Sequence, residues 1–138
     1  MPRLHALLAA FPLALLSMSL ALEIVAWKWD KFRETGYCLL FLGLLGAIAA
    51  IATGFLAASA TNAAELVPGP FARHRGFAAG AFITFGLMIA FRLAARNKFT
   101  RWTRLLYIAV GIVGVVHILV AAWLGTSLVF DHGIGVSR

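Results

Sequence analysis

Four stretches of the chain are almost free of charge, and short segments rich in lysine, arginine, proline and glycine separate them. The stretches run from about Leu7 to Trp27, Tyr37 to Ala58, Gly76 to Ala94 and Leu105 to Leu128. None alternates apolar and polar residues with the period of two that a membrane barrel strand requires. At about 1.5 Å per residue, each is long enough as a helix to cross a hydrocarbon core of roughly 30 Å. Because that core offers the backbone no water, the pattern predicts an all-α, integral membrane four-helix bundle forming a single domain over residues 1–138.

The fourth stretch carries the one ionisable side chain far from either end of an apolar run, His117. At about 100° per residue, Gly111, Gly114, His117, Ala121 and Gly125 fall within an arc of roughly 120°. Such a face admits another helix or a flat ligand close to the backbone and directs the imidazole toward protein rather than lipid. The second stretch has a comparable seam in Gly43, Ala47, Ala50 and Gly54. In the third, Gly76 and Gly80 form a GxxxG pattern, explained equally by dimerisation and by packing inside the bundle.

Between these stretches, Trp27, Trp29 and Phe32 mark an interface, and Val67-Pro68-Gly69-Pro70 is expected to break any helix. Pro12 is expected to disturb the first helix by removing a backbone hydrogen bond. Ser19-Leu20-Ala21 resembles a signal cleavage site, but the apolar run is longer than a signal's core, so it is read as a span. Glu23 is expected near the headgroups, paired with a loop cation.

Composition agrees with the pattern. Of 138 residues 62% are hydrophobic and 12% charged, and the mean hydropathy is +0.94, values of a membrane protein. The net charge of +7 would suggest nucleic acid in a soluble chain. Here the cations flank apolar runs, which points to topology and anionic headgroups, with no nucleic-acid partner. Eight basic residues (Lys28, Lys31, Arg33, Arg92, Arg96, Lys98, Arg101, Arg104) belong to the first and third connections, and four (Arg3, Arg73, Arg75, Arg138) to the termini and the second. The positive-inside rule then places both termini on the non-cytoplasmic side of a bacterial inner membrane. The single cysteine, Cys38, excludes an internal disulfide.

With that topology all four histidines lie in the outer half of the bundle. Imidazole is a common axial ligand of haem iron, and a haem b between helices needs two such ligands and small residues facing the macrocycle. His117 is the buried ligand candidate, His5 and His74 are its possible partners, Gly111 and Gly114 supply the flat face, and Arg73 and Arg75 are placed to pair with propionates. The expected difficulty is depth, since His5 and His74 read as interfacial unless the first helix starts before Leu7. A second reading is a zinc or copper site from His5, His74 and His132, with Asp131 nearby. A third is a cofactor-free accessory subunit of a larger membrane complex, with histidines capping helix ends. No hydrolase triad, phosphate loop or acid pair is present, so the chain is not expected to be an enzyme by itself.

The C-terminal run Leu128-Val129-Phe130-Asp131-His132-Gly133-Ile134-Gly135-Val136, after Trp123 and Gly125, resembles the closing signature of a bacterial membrane family, domain of unknown function 2231. His5 with Phe11-Pro12-Leu13-Ala14-Leu15 resembles that family's opening, and Gly54-Phe55 the close of its second helix. Ala6 and Ala10 stand where the family's pattern carries a proline and a second histidine. The resemblance implies a four-helix membrane protein and no defined activity. Independently, Gly133 and Gly135 can adopt positive φ and turn the chain back over the bundle mouth.

Overall fold

The computed structural model describes residues 2–96 and 98–136. It is 87% helical, with no strand among the described residues. Four long helices dominate: α1 (Pro2–Val25), α2 (Arg33–Thr61), α4 (Pro68–Ala94) and α5 (Arg101–Phe130). A short α3 (Ala63–Leu66) and a 3-10 turn (Asp30–Phe32) fill two of the connections. All four long helices have the length and apolar composition to cross a membrane. The chain is therefore an integral membrane four-helix bundle in a lipid bilayer.

Every long helix begins several residues before the apolar stretch that predicts it, although α1 ends at Val25, short of Trp27. Pro68 does not break α4 but begins it, because the first turn of a helix has no N–H partner to lose and proline's fixed φ suits that position. Asn62, at φ 51°, ends α2 in the left-handed conformation and starts the tight reversal. Helix α1 continues across Pro12, whose ring lies on Gly46 of α2. It starts at Pro2, so His5 is inside its first turns rather than in a preceding tail.

The helices run up and down as two hairpins, α1–α2 and α4–α5. Each hairpin packs mainly within itself, and the pair meets through α1 against α5 and α2 against α4. One end of the bundle holds the termini and α3, and the other holds the two basic connections; we call these the terminal and basic ends. Arg138, counted with the terminal end, lies outside the described residues. The core is thin and built of Leu16, Leu40, Phe85, Met88 and Tyr107, with glycine and alanine lining the seams. Large side chains such as Trp102, Trp123 and Phe130 project outward, as lipid-facing surfaces require. At the C-terminus, Gly133 (φ +66°) donates to the Val129 carbonyl and ends α5, and Gly135 (φ +78°) packs against Pro2. The chain does turn back over the terminal end.

The two hairpins are built to one plan. Leu16 of α1 lies on Gly43 of α2, and Phe85 of α4 lies on Gly114 of α5. Leu16 and Phe85 are 69 residues apart, the same separation as His5 and His74 and as Glu23 and Arg92. Both second helices carry glycine, six residues, alanine, three residues and glycine: Gly43, Ala50, Gly54 and Gly114, Ala121, Gly125. Since α1 and α4 run in the same direction, the relation is an approximate two-fold along the bundle axis.

Candidate functional site

Two pairs of polar side chains face each other across that axis, one near each end. At the terminal end they are His5 on α1 and His74 on α4. Gly54 of α2 leaves room for the His5 ring, because a Cβ there would stand 3.0 Å from its Cε1. The ring's Nδ1 is 3.0 Å from the Ala50 carbonyl oxygen, one turn earlier on the same seam. His74 repeats this on the second hairpin: its ring lies on Gly125, where a Cβ would be 3.2 Å from Cε1, and its Nδ1 is 2.9 Å from the Ala121 carbonyl. A carbonyl only accepts, so Nδ1 carries the proton in both rings, and in the neutral imidazole Nε2 keeps its lone pair.

The ring centroids are 6.4 Å apart and the planes cross at 84°. Two imidazoles with their Nδ1–H groups fixed by backbone carbonyls have the second-shell support usual for metal-ligating histidines. Thr53, which donates to the Ala49 and Ala50 carbonyls, lies 3.4 Å from His5 Nδ1 and fills the same wall. Arg75, next to His74, extends over the Phe55 and Phe71 rings at 5.6 Å from each, beside a cavity of about 250 Å³ between α2 and α4. Arg73 is exposed.

The other expected site residues stand apart from this pair. The Nδ1 of His117 lies 2.8 Å from the Val113 carbonyl of its own helix, and its ring edge rests on Gly80 of α4, with Phe77 at 5.7 Å. Gly80 thus serves packing inside the bundle, while Gly76 of the same GxxxG pattern faces open space. Gly111 receives Leu20 and Met88, and Gly114 receives Phe85 and Thr84. The glycine face expected to accept a flat cofactor is a helix-packing seam, filled because neighbouring helices had the larger side chains to put there. His132 is exposed beyond the end of α5. Among the described residues, no group of three or more His, Cys, Asp or Glu side chains is placed to hold a metal ion.

Toward the basic end the facing pair is Glu23 of α1 and Arg92 of α4, joined at 2.8 Å and almost wholly buried. Arg92 is a helical residue inside the bundle, not the loop cation that its place in the sequence suggests. Its guanidinium also donates to the Arg33 carbonyl at 3.2 Å, lies 4.9 Å above the Tyr37 ring and has the buried Tyr107 beside it. Glu23 Oε1 has no hydrogen-bond partner among the described residues.

Reading each stretch by itself grouped His5 and His74 only with His132 or as partners of His117, and left the cation facing Glu23 unnamed. The signal was available in the comparison of one half with the other: His5 and His74 are each followed by two alanines at the same spacing (Ala9-Ala10 and Ala78-Ala79), and the glycine and alanine positions of α2 recur in α5. No curated protein and no solved structure matches the chain. The family model for DUF2231, described as a predicted membrane protein, matches residues 2–138. A match over nearly the full length, on a chain with four spans and the expected opening and closing motifs, shows that the protein belongs to the DUF2231 family of predicted membrane proteins.

Proposed function

We propose that this protein is a small membrane subunit that binds b-type haem between its two hairpins, where His5 and His74 would hold the iron, and takes part in electron transfer. The observation that carries the reading is the His5–His74 pair itself, with centroids 6.4 Å apart and each Nδ1 held by a helix carbonyl. Both rings keep an unprotonated Nε2, the atom by which the pair would hold a haem iron. A haem held by the two histidines would supply one-electron transfer. The residues of this chain orient the ligands: Gly54 and Gly125 set how closely each ring approaches its partner helix, and the Ala50 and Ala121 carbonyls fix the tautomer. Arg75 and Arg73 flank His74 and are available to propionates. On the positive-inside rule the basic end faces the cytoplasm of a bacterial inner membrane, which puts this site in the outer half.

The test is an absorption spectrum of the purified protein, oxidised and dithionite-reduced, after expression with haem supplied. A Soret band and a sharp α band are expected, lost in His5→Ala and in His74→Ala and kept in His117→Ala. Absence of both bands from the wild-type protein would exclude haem. It would favour a cofactor-free accessory subunit, in which the same two hydrogen bonds simply pin helices together.

A further inference from the structure

A second site lies at the basic end. A cavity of about 390 Å³ is walled by Trp27 after α1, Phe99 and Thr100 of the last connection, and Arg101 and Arg104 in the first turn of α5. Its aromatic walls are fixed from behind. Phe99 packs on Tyr107 and Phe91, with centroids at 5.2 and 5.7 Å. The Arg104 guanidinium lies 5.8 Å from the Trp27 ring centre. Thr100 and Thr103 form a capping box that fixes the start of α5, so the positive end of the helix dipole opens on the same space.

None of the five lining residues is acidic, yet two arginines and a helix N-terminus converge there. Two guanidinium groups and the start of a helix on one cavity favour an anion as its occupant. Arginine's fork matches the oxygens of a phosphate, and the neighbouring Trp29 and Trp102 are exposed, as residues at headgroup depth are. Trp27 and Phe99 provide the apolar flank that a free inorganic ion does not need.

We propose that this cavity binds the phosphate of an anionic lipid headgroup, with Arg101 and Arg104 on the phosphate and Trp27 and Phe99 against the glycerol and upper acyl segment. The site is separate from the histidine pair and does not depend on haem. The experiment is native mass spectrometry of the protein released from nanodiscs of equal phosphatidylglycerol and phosphatidylcholine. The wild-type protein is expected to retain phosphatidylglycerol selectively, and R101Q/R104Q to retain it roughly tenfold less or weaker still. R96Q/K98Q removes the same charge from the same connection but from residues outside the cavity, and is expected to change retention less than about twofold. If R101Q/R104Q does not fold, R104K, which keeps the charge but loses the guanidinium fork, is expected to show the loss. Equal loss in the two double variants would overturn the proposal, as would equal retention of phosphatidylcholine by the wild type. Release of phosphatidylglycerol by millimolar inorganic phosphate would also overturn it, assigning the cavity to the free anion.

Discussion

Glycine shows most directly how single residues set this bundle. A Cβ at Gly43 would stand 2.6 Å from Leu16 Cδ2 and 3.2 Å from the Leu16 backbone nitrogen, so neither side chain nor helix has room to give. Gly43→Ala is expected to destabilise the protein by about 1–3 kcal/mol, measured by thermal or denaturant unfolding in detergent. Gly86, also helical, has nothing within 4 Å of the same position. Gly86→Ala is expected to be neutral or to stabilise by up to about 1 kcal/mol, since alanine restricts the unfolded chain. At the Glu23–Arg92 pair the cost depends on which charge is left behind. Arg92→Leu leaves a buried carboxylate and is expected to cost about 3–5 kcal/mol, whereas Glu23→Leu combined with Arg92→Leu is expected to cost less than either single change. A double-mutant cycle in detergent reads this directly, and additive losses would show that the two side chains do not act as a pair.

At the scale of elements, each hairpin is a glycine-lined helix receiving the side chains of its neighbour. The seams of α2 and α5 were readable from sequence as small-residue faces, because helical periodicity fixes which residues share a side. What those faces receive was not readable. Leu16, Phe85, His5 and His74 come from other helices, and only the packing of α1 on α2 and α4 on α5 decides their register. The matched seats lead to a matched prediction. Gly54→Val and Gly125→Val each push a histidine off its carbonyl, and both are expected to lower the unfolding temperature by similar amounts. With haem bound, both are also expected to weaken the α band. A large effect from one alone would show that the hairpins are not equivalent at this site.

For the whole molecule, the approximate two-fold turns two simple hairpins into a bundle with facing polar pairs: histidines near one end and an ion pair near the other. Orientation in the membrane is tested by reporter fusions. A C-terminal alkaline phosphatase is expected to be active and a fusion in the connection between α1 and α2 inactive, as the excess of cations at the basic end dictates. The sequence alone determined the class, the number of spans and the end of the bundle where charge collects. Long uncharged runs leave a backbone in lipid no alternative to helix, and cations do not cross easily. It also determined the turn at Gly133 and Gly135, where the last helix had to stop and the chain reverse. Only the tertiary structure decided that His5 faces His74 while His117 packs on Gly80, and that Arg92 is buried on Glu23 rather than exposed in a connection. Those outcomes depend on how far each helix extends and which seam it lies in. They are contacts between residues dozens of positions apart, for which the pattern within any one stretch carries no information.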